Sequence, residues 1–223
     1  MKNLIKAMKL YITATIHPAT TTVIGFMLVI LMPILFITNT VEADNEDYSL
    51  MLWSVGFVGH MGVYITLYLG QYKTLQNKFY ISSSCAKHIF ITVPLIISFV
   101  LNVCYDLVCT VLAAIVLGKS GLSDAIIYFS LIGGIMFLIT ALTNKKNMKV
   151  IIIIPVLGIM LINYVAINNL LINGFGMSVM MSVAIAVIVY AVSIVAALLT
   201  LNIWWKMGDR FNLVKYRVAW MKI

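Results

Sequence analysis

The chain has 223 residues, 63% of them hydrophobic and only 10% charged, with a mean hydropathy of +1.07. A soluble domain is about 45–50% apolar and about 25% charged, and a chain this short has too much surface to conceal such an excess in a core. The composition therefore excludes a soluble enzyme, a disordered chain and, with 3 Cys, a disulfide scaffold; it points to an integral membrane protein. The net charge of +8, from 15 Lys+Arg against 7 Asp+Glu, is expected to flank membrane spans rather than to bind nucleic acid.

Residues 1–17 predict an amphipathic helix. At about 100° per residue, Leu4, Ile5, Met8, Tyr11, Ile12 and Thr15 share one face, and Lys2, Lys6, Lys9 and Thr13 take the other. A short cationic helix divided in this way rests in the headgroup plane.

A spanning helix needs about 20 mostly apolar residues, since the hydrocarbon slab is about 30 Å thick and the rise about 1.5 Å per residue. The first such run is Pro18 to Thr38, with Pro18 suited to a first turn, where its missing N–H costs nothing. Val41-Glu42-Ala43 after it has the small residues of a signal cleavage site. A signal's apolar core is only about 7–15 residues, however, so an uncleaved span is expected. The second run, Tyr48 to Tyr72, is interrupted only by His60, and Gly56, Gly59 and Gly62 beside it permit close helix approach. The third, Ile89 to Gly118, contains one acid, Asp106, and the fourth runs from Ala125 to Asn144. Val150 to Trp205 is too long for one helix. Two spans fit there, with the turn supplied by the breakers Asn168-Asn169 and Asn173-Gly174-Phe175-Gly176. The expected fold is all-α and polytopic, with six transmembrane helices in residues 18–205.

Orientation follows from the cations. With the N-terminus inside, every basic residue of the 15 except Lys119 is cytoplasmic. They fall in the N-terminal helix, the loop 73–88 (Lys73, Lys78, Lys87), the cluster Lys145, Lys146 and Lys149, and the basic tail 206–223. Glu42, Asp44, Glu46, Asp47 and Asp124 are then external, and Trp204-Trp205 is expected at the inner interface as part of an aromatic belt. Both termini are expected in the cytoplasm of a cell whose plasma membrane the chain spans. No segment outside the spans reaches the about 40 residues that an independent domain needs.

Candidate chemistry is sparse. Ala113-x4-Gly118-Lys119-Ser120 fits a relaxed phosphate-loop pattern, but it ends an apolar helix on the outer side instead of linking a strand to a helix, so it is read as a chance match. Ser98, Asn102, Asp106 and Thr110 recur every fourth residue and form one polar stripe on the third span. An acid at the bilayer centre costs about 2.5–3.5 kcal/mol, so Asp106 must face protein or water. His60 lies at similar depth on the second span. Either His60 and Asp106, with Asn102, make a buried pair that locks two helices, or Asp106 binds substrate or relays protons. Cys85 and His88 are close enough in sequence for a thiol–imidazole pair, yet no acid or amide is placed to orient it, so no catalytic residue is assigned. Cys104 and Cys109 are expected in the core of the third helix, and the few Cys and His leave no metal site expected. The 14 Met, among them Met177, Met180 and Met181, would suit a pliable apolar lining. The basic loop with Tyr72, Phe79 and Tyr80 reads as a docking surface at the inner face.

Taken together, the interfacial helix, six spans, longer inner loop and basic inner face resemble the membrane subunit of type-2-like ABC exporters, the ABC-2 permease group. The segment Leu75-Gln-Asn-Lys78-Phe79-Tyr-Ile-Ser-Ser-Ser-Cys-Ala-Lys87-His-Ile-Phe90 is similar to the small permeases of phenol-soluble-modulin exporters. That resemblance implies a coupling helix in the loop, with Leu75, Lys78, Phe79, Tyr80 and Lys87 docking on a separate ATPase that binds ATP and Mg; this chain would bind no cofactor. It also implies a homodimer, or a pair with a related permease, expelling amphipathic peptides in a lipid bilayer. Alternatives are a drug, lipid or bacteriocin-immunity exporter, a membrane cysteine peptidase using Cys85 and His88, and an ion-coupled transporter using Asp106.

Overall fold

A computed structural model of the protein describes residues 2–15, 29–31, 33–34, 55–68, 80, 83–142, 157–158 and 176–206. Nearly all of these are helical, and there is no strand among them. The elements are α1 (Lys2–Thr15), α2 (Val55–Tyr68), α3 (His88–Ile115), α4 (Gly121–Leu142) and α5 (Val179–Lys206). Three of them, α3, α4 and α5, are long and apolar enough to cross a membrane. Most of the expected first and fifth spans, most of the loop 73–88 and the tail beyond Lys206 lie outside the described residues.

Helical backbone runs from Val93 to Leu142, 50 residues that would stretch about 75 Å if straight. It cannot be straight. A β-carbon at Gly133 would stand 2.7 Å from Asp106 Oδ2, whereas 27 helical residues span about 40 Å. The run therefore doubles back between Ile115 and Gly121, and α3 and α4 are the antiparallel arms of a hairpin. At its start, α3 opens with a wide π turn, His88–Thr92, closed by the Val93 N–H donating to the His88 carbonyl. Pro94 supplies the reason, because its ring would collide with the carbonyl four residues back and it has no N–H to donate; one extra residue in the turn relieves both.

Serine and glycine set the start of α5. Gly176 has φ +59°, a left-handed conformation that a β-carbon would oppose, and Ser178 Oγ accepts from the Met181 N–H at 3.3 Å. From there α5 runs parallel to α4. Ser123 near the start of α4 bonds Ser182 near the start of α5, and Ala141 and Leu142 share a buried cluster with Leu201 and Trp204 at their ends. α2 also runs with α4: Gly56 faces Tyr128 and Phe129, while four residues on His60 faces Gly133.

Two apolar clusters hold the bundle. At one end, Ala7 and Tyr11 of α1 pack with Cys85, Ile89 and Phe90 before and at the start of α3, and with Phe137, Ala141, Leu201 and Trp204. Towards the other, Val55, Tyr105, Cys109, Ala113, Ala125, Phe129 and Ile132 close together. Lipid is as apolar as these side chains, so close packing and polar contacts, rather than water exclusion, hold the helices to one another. Most of α4 is buried and little of α5 is, which makes α4 the central helix of those described.

Three expectations need correcting. Trp204 is not a belt residue: it is 1% exposed within the α1-end cluster, its ring 6.2 Å from that of Trp205. A tryptophan near a helix end faces protein when neighbouring helices converge on it, as α1, α3 and α4 do here. Cys104 is exposed and only Cys109 is buried, since five residues turn the helix about 140° and place the two on different faces. On α1 the buried face centres on Ala7 and Tyr11, with Leu4, Met8 and Leu10 partly buried, whereas Ile5 and Ile12 stay exposed. Ala7 is small enough to let α1 lie directly on α3, a role that apolar periodicity alone does not show.

Candidate functional site

Between the two apolar clusters sits a row of polar side chains drawn from three helices. The periodicity of α3 places Ser98, Asn102 and Asp106 on one buried face. Asn102 Nδ2 donates to the Ser98 carbonyl at 2.7 Å, the back-bond a polar side chain makes one turn up its own helix. This turns Oδ1 outward to His60 of α2, whose Nδ1 lies 2.9 Å away. The other ring nitrogen, Nε2, stands 2.8 Å from Asp106 Oδ1. That contact is close without being an aligned hydrogen bond, and neither atom has another hydrogen-bond partner among the described residues. Tyr190 of α5 completes the group by donating its hydroxyl to Asp106 Oδ2 at 2.5 Å.

The ring of Tyr105 meets His60 edge-on, centroids 4.9 Å apart, and its hydroxyl donates to the Val55 carbonyl at 2.6 Å. Phe99 stands edge-on to Tyr190 at 5.7 Å. Two glycines make room. A β-carbon at Gly59 would run into the Tyr105 ring, and one at Gly133 would meet the Tyr190 hydroxyl, Asp106 Oδ2 and His60 Cε1. The adjacent Gly134 lets Val189 and Ser193 of α5 lie against α4. His60 is wholly buried and Asp106 retains 11% of its side-chain surface.

The structure thus brings His60, Asn102 and Asp106 together. Thr110, at the far end of the stripe, is only partly buried. Sequence reasoning missed Tyr190, Tyr105, Gly133 and Gly134. The signal for Tyr190 was the one tyrosine in a long apolar helix, since a buried tyrosine needs a partner for its O–H. The signal for the Gly133–Gly134 pair was the enrichment of small residues where membrane helices touch.

Of the residues expected to dock an ATPase, Leu75, Lys78 and Phe79 lie outside the described residues. Tyr80 is partly buried against the α1-end cluster, and Lys87 is exposed just before α3. Cys85 is buried with its sulfur 3.5 Å from Ser83 Oγ, and His88 Nδ1 lies 3.3 Å from Thr92 Oγ1, so the two side chains engage separate neighbours. Met177, Met180 and Met181 are exposed around the start of α5. Among the described residues, no group of three or more His, Cys, Asp and Glu is placed to hold a metal ion. No protein-family model, curated protein or solved structure matches the chain.

Proposed function

We propose that the chain is the membrane-spanning permease subunit of an ATP-driven exporter, moving amphipathic peptides out of the cell with a separate ATPase and a second permease copy. The observation that carries this reading is the platform at the α1 end. There α1, the turn at Ser83–Ala86, the start of α3 and the ends of α4 and α5 share one packed cluster, with Lys6, Lys9, Lys87 and Lys206 exposed around it. A permease driven by another chain must receive force at its inner face and pass it to its spans. A rigid, basic end joined directly to three spans suits that task, and α1 lying across the start of α3 is its most direct lever.

Helix direction supports six crossings. α4 and α5 run the same way, and so do α2 and α4, which is the arrangement that six crossings would give. With the α1 end inside, the cations follow the positive-inside rule. Cysteines placed at Asp44 and Asn173 should then react with an impermeant external reagent, and those at Lys146 and Lys215 should not. External labelling at position 146 would overturn the topology.

The functional test is capture of an ATPase. Phe79→Ala should cost about 1–3 kcal/mol of docking, the usual scale for an anchor residue, and leave the spans folded. Lys87→Glu should weaken association most at low ionic strength, where charge attraction is least screened. The readouts are pull-down of the ATPase and cargo-stimulated ATP turnover in lipid. If neither changes in either variant, the segment is a solvated connector. Transport driven by a proton gradient without ATP would move the chain to the ion-coupled class.

A further inference from the structure

The polar row between α2 and α3 has a fixed proton count. The Ser98 carbonyl can only accept, so the nitrogen of the Asn102 amide must face it and Oδ1 must face His60. His60 Nδ1 therefore carries hydrogen. On the other side of the site, Asp106 Oδ2 accepts from the Tyr190 hydroxyl. What remains is Nε2 against Oδ1 at 2.8 Å, both buried and without other hydrogen-bond partners among the described residues. Two bare lone pairs at that distance repel, so the pair holds one proton, on one atom or the other. Whether it is written as imidazolium with carboxylate or as imidazole with carboxylic acid, the count is one and the pair is neutral.

We propose that His60 and Asp106 form a buried single-proton site that latches α2 to α3 and α5, and that loss of this proton releases α2. On deprotonation the proton passes from the pair to water. An imidazole lone pair then faces a carboxylate, and a net negative charge is left in an apolar interior, where it is expensive. Among the described side chains no fixed cation is at hand to offset it: Lys6, Lys9, Lys87 and Lys206 belong to the α1 end. The other titratable groups facing the site among the described residues are Tyr105 and Cys109 from α3, Tyr190 from α5 and, beyond Gly56, Tyr128 from α4. All are neutral hydroxyls or thiols. Among the described residues the exposed side of the pair is Asp106, which keeps 11% of its side-chain surface while His60 keeps none. The strain of losing the proton falls on α2, which meets α3 through His60 itself, the edge of Tyr105 and the Tyr105–Val55 bond. The inference holds for a permease of any driving force and does not rest on an ATPase partner.

The test uses the full chain in lipid nanodiscs, with spin labels at Val58 of α2 and Val187 of α5 after its three cysteines are replaced by alanine. Infrared spectra and the label-to-label distance are recorded across a stepwise rise in pH, the infrared bands marking the point at which the pair loses its proton. The wild-type background should show one transition, in which a carboxyl or imidazolium band is lost and the Val58–Val187 distance distribution widens at the same pH. Asp106→Asn keeps the shape and gives Nε2 an amide N–H that cannot be lost, so its distances should stay narrow throughout. An unchanged distance in the wild-type background overturns the latch, whether or not the variant folds. Widening of Asp106→Asn equal to that of its parent overturns it as well.

Discussion

Gly133→Ala probes how tightly the polar row is built. The added β-carbon would stand 2.7 Å from Asp106 Oδ2 and nearer still to the Tyr190 hydroxyl. A carbon and an oxygen rest at about 3.3–3.6 Å, so both groups have to retreat, each by more than about half an ångström. The 2.5 Å bond between Tyr190 and Asp106 has no such slack and breaks. Two costs follow. Hydrogen bonds between membrane helices average about 0.6 kcal/mol and reach about 1.7, because the unfolded chain in lipid finds other partners. Overpacking a close contact costs about 1–3 kcal/mol. Packing is thus the larger part, and the sum is about 2–4 kcal/mol. Tyr190→Phe removes the hydroxyl alone, costs no more than the bond, and relieves the nearer clash while leaving the Asp106 contact in place. Gly133→Ala made in that background should therefore cost about 1 kcal/mol less than in the native chain, a coupling expected only of groups that touch. The measurement is unfolding of the full chain by SDS titration in mixed micelles for the four members of the cycle. Additivity within about 0.5 kcal/mol, or a Gly133→Ala protein as stable as its parent, would refute the geometry argued for this site.

The same assay reaches the other contacts. Gly59→Ala drives a β-carbon into the Tyr105 ring and should displace α2, costing more than Tyr105→Phe, which removes the hydroxyl with its bond to the Val55 carbonyl and costs about 1 kcal/mol. Ser123→Ala removes the clasp to the Met177 carbonyl at 2.9 Å and to Ser182 Oγ at 2.5 Å, yet should cost only about 0.5–1.5 kcal/mol, as the alanine leaves no charged group stranded. Ala7→Leu has no room at a position with 0% exposure and should lift α1 from α3, seen as protease cleavage within residues 2–15 while α4 and α5 keep their packing. Unchanged cleavage in Ala7→Leu would mean that α1 is held by lipid rather than by α3.

The stripe on α3 was readable because its code is local. Ser98, Asn102 and Asp106 recur with the helical period, and a polar residue in an apolar helix has to turn from lipid wherever its neighbours are. His60 was readable as a partner by depth alone. Tyr190 was not, because it stands 84 residues from Asp106 on a helix where scattered polar residues mark no single face. Periodicity separates faces when one side meets water. In lipid both sides meet hydrocarbon, and an inward valine and an outward valine look the same.

What the sequence determined by itself is the all-helical class, the position of α3, α4 and α5, and the helical N-terminus. The spans follow from composition over about 20 residues, since a backbone in hydrocarbon must bond within its own segment and therefore forms a helix, and the N-terminal helix follows from its amphipathic period. Only the tertiary structure decided which faces meet. It buried Trp204 instead of leaving it at an interface, exposed Cys104, seated α1 on Ala7, set α4 parallel to α5, and closed Tyr190 over Asp106 through the gap at Gly133. These outcomes depend on shape complementarity between helices far apart in the chain, where a missing β-carbon on one helix admits a ring from another, and no single segment carries that information.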